Sequence, residues 1–302
     1  MNAAGAPVYG MSWVSVVHQS PDGAPDFEGV TVDADIVMAA DALVRHRHVV
    51  CLTGAGMSVE SGIRPFRGAG GLWTEHGEPP LDDYSRFLED PVGYWEELLE
   101  PTGHMAELRD ALERAQPHEG HHALAELERR EFVKFVITQN IDNLHRKAGS
   151  TRIAEIHGNY TLLRCSGCGR RFHRGRLMYN TLPPQCQACG ESIKSDVVVF
   201  GEPIPGDVAA VCMDEVENAD CMLLVGTSGY VYPAAGFPRR VKANGGTLIE
   251  INPCDTELSG LCDIIVRSTA VRALPRLVGA LVDREGASAG ESRHVKGSWH
   301  TE

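Results

Sequence analysis

The stretch His48-Val49-Val50-Cys51-Leu52-Thr53-Gly54-Ala55-Gly56-Met57-Ser58 decides how this chain is read. An unbroken apolar run is the pattern of a parallel strand buried on both faces. A turn with two glycines directly after such a strand lets backbone N–H groups come close to a pyrophosphate, so it is a candidate nucleotide cradle. On its own the turn reads equally well as a tight strand-to-helix connection. Ser58 and Val59 stand where the dinucleotide fingerprint wants a third glycine, and the acidic ribose-binding residue expected about 20 positions later has no match. The continuation Glu60-Ser61-Gly62-Ile63-Arg64-Pro65-Phe66-Arg67-Gly68 is what raises the cradle reading.

Upstream, Ile36, Val37, Ala40, Leu43 and Val44 recur at helical spacing and predict an inward-facing stripe leading into the strand. Downstream, the apolar run at 132–137 ends in Thr138-Gln139-Asn140-Ile141-Asp142-Asn143-Leu144-His145. Amide and carboxyl side chains beyond the carboxyl end of a strand are placed for ligand binding, or, more plainly, for capping the next helix. Further short strands are predicted at 153–158, 221–225 (ending in Gly226-Thr227-Ser228-Gly229), 247–252 and 264–266, with a closing helix at 273–281. Strands alternating with helices predict an α/β fold built on a doubly wound parallel sheet. Residues 69–80 hold too many glycines and prolines for regular structure. Residues 90–100 read as a helix with Tyr94, Trp95, Leu98 and Leu99 on one packing face, and 119–130 as a helix with Ala123, Leu124 and Leu127 inward. The β-branched stretch at 196–203 reads as one more core strand.

The 302 residues are 43% apolar, enough for a real core, and carry a formal charge of −13. That acidity argues against a phosphate-tracking surface and hence against nucleic acid. It suits a basic protein tail, beside its ordinary role in solubility. The first 25 residues lack a basic segment followed by an apolar core, and no run of about 18 apolar residues occurs, so a cytoplasmic chain with no membrane partner is expected. Nine cysteines include two Cys-x-x-Cys pairs, Cys165/Cys168 and Cys186/Cys189, with 17 residues between them. Two such knuckles supply four thiolates at about 2.3 Å from a tetrahedral zinc and leave no open position, which predicts a structural site. Gly167, Gly169 and Gly190 allow the sharp turns that the knuckles need. A redox dithiol and a nucleic-acid-binding ribbon are the competing readings, the latter disfavoured by the acidity. Cys51, Cys212, Cys221, Cys254 and Cys262 are expected to be small buried hydrophobes.

Gly54-Ala55-Gly56-Met57-Ser58 through Ser61-Gly62-Ile63 and Phe66-Arg67-Gly68, together with Thr138-Gln139-Asn140-Ile141-Asp142, resembles the motif set of the sirtuins, NAD-dependent protein-lysine deacylases. The resemblance spans about residues 33–281. It implies a Rossmann-like NAD-binding domain at 31–64, 131–160 and 196–282, a cofactor loop and helical module at 65–130, a zinc ribbon at 161–195, and mobile tails at 1–30 and 283–302. It also implies transfer of an acyl group from lysine to NAD-derived ADP-ribose. His157 would be the general base and Asn140 its catalytic companion. Ile63, Asn140 and Asp142 would line the nicotinamide pocket, with Phe66, Arg67 and Gln139 on the ribose. Gly54, Ala55, Gly56, Ser58, Gly226, Thr227, Ser228, Asn252 and Ala270 complete the NAD contacts that it implies. An acylated lysine would lie between Val198, Phe200, Gly201 and Glu202 on one side and Tyr230 and Val231 on the other. NAD and one structural zinc are thus the expected cofactors.

Two departures stand out. The family usually writes Gly-Ile-Pro-Asp/Thr-Phe-Arg where this chain has Gly62-Ile63-Arg64-Pro65-Phe66-Arg67, so the fixed φ moves by one residue, and Ser195 stands where a proline is common. No Tyr-x-x-Arg occurs in the sequence, which implies an uncharged acyl group, acetyl or longer, in place of malonyl or succinyl. Three other classes remain open at this stage: a protein ADP-ribosyltransferase using the same pocket, a non-catalytic NAD-binding scaffold, and a zinc-ribbon interaction module.

Overall fold

A computed structural model describes residues 29–294 apart from 69, 79 and 80. Of the tail expected at 1–30, residues 1–28 lie outside the described residues, while 29 and 30 open α1. Strands β1 (Val49–Thr53), β2 (Phe135–Thr138) and β3 (Ile153–Glu155) form half of a six-stranded sheet. A separate three-stranded sheet is built from β4 (Leu162–Cys165), β5 (Arg171–His173) and β6 (Ile193–Ser195). The chain then returns to the large sheet with β7 (Cys221–Val225), β8 (Thr247–Ile251) and β9 (Ile264–Val266).

All neighbours in the large sheet are parallel, in the order β3-β2-β1-β7-β8-β9. That is the doubly wound order with its reversal between β1 and β7, and in such sheets the crevice at the reversal is where ligands bind. Alternation along β1 explains its unbroken hydrophobicity. Val49 and Cys51 face one cluster and Val50 and Leu52 the other, so no position on the strand meets water.

Helix α1 (Gly29–Arg45) packs in the first cluster. The module between β1 and β2 contains α2 (Leu72–His76), α3 (Asp83–Glu89), α4 (Pro91–Leu99), α5 (Gly103–Arg114) and α6 (Glu119–Arg129). Helix α7 (Leu144–Ala148) follows β2, while α8 (Gly206–Asn218) and α9 (Gly236–Ala243) cover the second face. Helix α10 (Ala270–His294) closes the first face beside α1 and α6. Trp95 of α4, buried and donating its indole N–H to the Ile193 carbonyl at 2.7 Å, joins the helical module to the small sheet.

Several expectations are corrected. In α1 the buried side is Ile36, Ala39, Ala40, Ala42 and Leu43, while Val37 and Val44 are exposed. Small alanines let the helix approach the sheet and rotate its seam away from the two valines. The breaker-rich segment at 69–80 nevertheless contains α2, held by Trp73 against Phe66 and Phe200 with centroids 4.7 and 5.5 Å apart. Residues 196–203 form no strand, because the chain offers them no ladder partner. Helix α6 packs in the sheet's own cluster. The closing helix does not stop at 281 but runs to His294, so a mobile tail from 283 does not describe it. Cys254 is exposed and Cys262 half-buried, in contrast to the fully buried Cys51, Cys212 and Cys221.

Candidate functional site

The turn after β1 and the turn after β7 meet at the reversal and are built from glycine because they touch. A Cβ on Gly54 or Gly56 would lie 2.8 Å from Gly226 backbone atoms, and one on Gly226 only 2.4 Å from the Met57 nitrogen. Gly226 also has φ +59, which a side chain resists. The Gly56 amide donates to the Gly226 carbonyl at 2.9 Å and locks the pair. The backbone N–H groups of Ala55, Thr227 and Ser228 donate to no residue among those described. Unpaired donors in touching glycine turns are what an anionic pyrophosphate needs, so these residues fit a dinucleotide. The N-terminal end of α10, starting at Ala270, lies against the 55–57 turn and adds its positive dipole. Asn252 reaches the same place from β8, donating to the Thr227 carbonyl at 3.3 Å.

The polar end of β2 converges on this point. Asn140 Nδ2 donates to the Gly54 carbonyl at 2.9 Å and to Ser58 Oγ at 3.2 Å, which leaves its Oδ1 directed elsewhere. Ser58 Oγ donates to Asp142 Oδ2 at 2.6 Å, and Asp142 Oδ1 accepts the Leu144 amide at 2.8 Å at the start of α7. Asp142 therefore anchors both Ser58 and the first amide of α7, and retains a lone pair on each oxygen. A small cavity opens between Ala55, Ser58, Ile63, Phe66, Asn140 and Asp142. Gln139 Nε2 donates to Thr227 Oγ1 at 2.8 Å, which carries the contact from β2 across to β7.

His157 follows β3. Its Nδ1 lies 2.9 Å from the Gln139 carbonyl, which can only accept, so Nδ1 carries the proton and Nε2 presents a lone pair. Burial lowers its pKa below the ordinary 6.5, partly opposed by that carbonyl, so the imidazole is neutral at pH 7. Gly158 has φ +78 and would place a Cβ 2.0 Å from the Asp196 carbonyl, so the backbone after His157 is pressed against the chain leaving the small sheet. The Val198 amide donates to the His157 carbonyl at 2.8 Å, which brings the segment at 197–202 beside the imidazole.

The remaining expected residues are distributed less simply. Phe200 packs on Trp73, and Arg67 lies 4.5 Å over the same indole while its Nε donates to Glu78 at 2.9 Å. Gly201 sits against the Leu81 carbonyl. The Glu202 carboxylate is turned into the protein, where Lys194, Arg164 and the Val199 amide take it, so only its backbone is left to face a substrate. Tyr230 is exposed and donates to Glu257 at 2.9 Å, and no hydrogen bond joins it or Val231 to 197–202 among the described residues. Ser228 accepts the Glu257 amide at 3.2 Å, which ties that loop to the phosphate turn.

Sequence reasoning missed a buried relay behind the site. Thr53 Oγ1 donates to Thr138 Oγ1 at 2.8 Å, Thr138 accepts the Asn140 amide at 3.1 Å, and His145 Nε2 lies 3.0 Å from Thr53. The relay fixes the backbone from which Asn140 projects. Two threonines at adjacent strand ends were a signal for it, but only the β1–β2 register, which pairs Thr53 with Thr138, makes them neighbours.

At the far end of the small sheet the sulfur atoms of Cys165, Cys168, Cys186 and Cys189 all lie within 4.8 Å of one another. The Cys165–Cys189 and Cys168–Cys186 separations are 3.3 and 3.7 Å. A tetrahedron with metal–sulfur bonds of about 2.3 Å has edges of about 3.8 Å, so the cluster fits one zinc and is too open for disulfides. Backbone amides of Ala188 and Cys189 help draw Cys186 down to about 7, while burial pushes Cys165 up to about 12. A central divalent cation removes that second cost.

Comparison with known proteins agrees with this geometry. A model of the Sir2 family matches residues 54–233. NAD-dependent protein deacylase 2 of Pyrobaculum aerophilum is 39% identical over 239 residues, 79% of this chain and 93% of that one. The NAD-dependent protein deacylase of Thermococcus kodakarensis is 40% identical over 251 residues, 81% of this chain and 95% of its own. Among solved structures, a Sir2 homologue–NAD complex superposes with a TM-score of 0.69 at 37% identity, covering 82% of this chain and 94% of that one. A Sir2–p53 peptide–NAD+ complex gives 0.65 at 30% identity, covering 83% and 98%. The chain belongs to the Sir2 family.

Proposed function

We infer that this protein is an NAD-dependent protein-lysine deacylase with one structural zinc. The observation that carries the reading is the meeting, at the sheet's reversal, of unpaired amides at Ala55, Thr227 and Ser228 with Asn140, Ser58 and a neutral His157. NAD bound there supplies a leaving nicotinamide and a ribose that accepts the acyl group.

The chain's own groups divide the work. Ala55, Thr227 and Ser228, with Gly54, Gly56 and Gly226 allowing close approach, hold the pyrophosphate, and Asn252 and Ala270 face the adenosine end. Ile63, Asn140 and Asp142 form the nicotinamide pocket, and Phe66, Arg67 and Gln139 border the ribose. His157 Nε2, with its free lone pair, would accept a proton from a hydroxyl of the NAD ribose. Val198, Phe200 and Gly201 flank the acyl-lysine on one side and Tyr230 and Val231 on the other, an instance of strand addition that gives the unpartnered 197–202 segment its missing neighbour. The absence of a Tyr-x-x-Arg pair supports an uncharged acyl group. Nine cysteines, none in a disulfide and four of them clustered to hold zinc, support a reducing compartment such as the cytoplasm. No observation favours ADP-ribosyl transfer to protein.

Mass spectrometry of an acetyl-lysine peptide incubated with and without NAD tests the reading. Deacetylated peptide, nicotinamide and O-acetyl-ADP-ribose should appear together and only with NAD. Label from NAD on the peptide without deacetylation would overturn it, and a preference for succinyl over acetyl peptide would refute the uncharged-acyl assignment.

A further inference from the structure

Among the described residues, the most deeply buried lysine or arginine lies outside the catalytic cluster. Lys194, on β6, is 1% exposed and is among the largest fully buried side chains. Its ammonium donates to the Ser195 carbonyl at 2.7 Å, the Val197 carbonyl at 2.8 Å and Glu202 Oε2 at 2.9 Å, so all three protons are used. Glu202 Oε2 also accepts the Val199 amide at 3.1 Å, and Oε1 accepts from Arg164 Nη2 at 2.6 Å. Arg164 Nε lies 3.4 Å from Asp196, which also takes Arg171 Nε at 3.1 Å and the Asn159 amide at 3.1 Å.

Every one of these contacts falls on or next to residues 195–202. Beyond Ser195 and Asp196, residues 197–202 lack a strand partner, so side chains must hold them in place of a ladder. With the carbonyls of Ser195 and Val197 drawn inward, the Val198 carbonyl accepts from no described residue, and the Val198 amide is anchored to the His157 carbonyl. Lys194 itself is fixed by β6, whose Ile193 and Ser195 pair with Cys165 and Leu163 of β4 in the sheet that carries the cysteines.

We propose that Lys194 is a positioning residue for the acyl-lysine substrate: with Glu202 as its partner it sets the path of the 197–202 edge beside His157, and through β6 it links the zinc ribbon to peptide recognition. The inference rests on the deacylase reading above, which fails separately if the unaltered protein shows no NAD-dependent deacylation. Removing the cation strands a buried carboxylate beside a single remaining arginine and frees two carbonyls, so the edge loses its shape while the NAD turns, which share no contact with Lys194, keep theirs.

Steady-state kinetics on the zinc-loaded full chain, varying peptide and NAD separately, test this. Lys194→Met should raise KM for the acyl-peptide about tenfold or more, with KM for NAD changed less than about twofold and zinc still bound at one per chain. Glu202→Gln, which preserves shape and serves if Lys194→Met does not fold, should raise the peptide KM alone by about threefold or more. The double variant should be no worse than Lys194→Met, because the partners act as a unit. An unchanged peptide KM in an active Glu202→Gln protein overturns the proposal. So does a parallel loss of NAD affinity and zinc, which would mark Lys194 as merely structural.

Discussion

At the scale of single residues, two positions carry the sharpest expectations. His157 is neutral because burial lowers its pKa, and a base works only unprotonated. Deacylation should therefore be flat above pH 6.5 and fall as pH drops through the lowered pKa, giving an acid limb below 6.5 in the kcat/KM profile. His157→Ala should remove that limb and cost about 10²–10⁴-fold in turnover while circular dichroism stays unchanged. Gly226→Ala tests the interlocked turns: it forces a Cβ into the Met57 nitrogen at a φ of +59, so the Tm should fall and NAD affinity be lost together. An alanine protein that binds NAD normally would show that the two turns do not need their contact.

Among the elements, the segment at 62–75 is where the sequence differs from the motif it resembles. Arg64, standing where a proline is usual, donates from Nε to the Gly70 carbonyl at 3.0 Å and forms an ion pair with Glu75 of α2. The shifted proline has freed a side chain that now ties the loop to its own helix. Exposed pairs of this kind contribute about 0.2–1 kcal/mol and are screened by salt. Glu75→Gln should accordingly raise KM for NAD by about twofold to fivefold at low ionic strength, with the difference vanishing at high salt and the peptide KM unmoved. This loop also marks the boundary of what could be read from sequence. Strands β1 and β7 were legible because burial on both faces leaves an unbroken apolar run, here ended by a glycine turn. Helix α2 was not, since glycines and prolines around it advertise irregularity and only Trp73, meeting Phe66 and Phe200, holds it. The stretch at 196–203 misled in the opposite sense, with β-branched composition but no ladder. Lys194 gave no sign at all, because a lysine between Ile193 and Ser195 reads as the solvent face of an alternating strand.

Across the whole molecule, the site is an agreement among distant parts, and its stability has two separable supports. Removing zinc by chelation should melt the small sheet, lower the Tm and raise the peptide KM before NAD binding is affected, because the large sheet's clusters contain none of the four cysteines. Zinc content followed alongside both KM values checks the order. The second support is a row of imidazoles, half-buried His118 and the buried His121 and His145, with adjacent ring centroids 4.3 and 5.1 Å apart. Burial lowers His121 to about 2 and His145 to about 4, so both are neutral when folded and would protonate near 6.5 when unfolded. Their contribution is complete above pH 6.5 and is lost progressively as pH falls below it. The Tm should decline from pH 6.5 to 4.5, and His121→Gln should decline less steeply. The placing of β1 between β2 and β7 has a last consequence for the growing polypeptide. The first glycine turn leaves the ribosome long before its counterpart at Gly226 and the α10 terminus that backs it. A nascent chain that has not yet supplied Gly226 and the start of α10 has no cradle, so it cannot hold the dinucleotide.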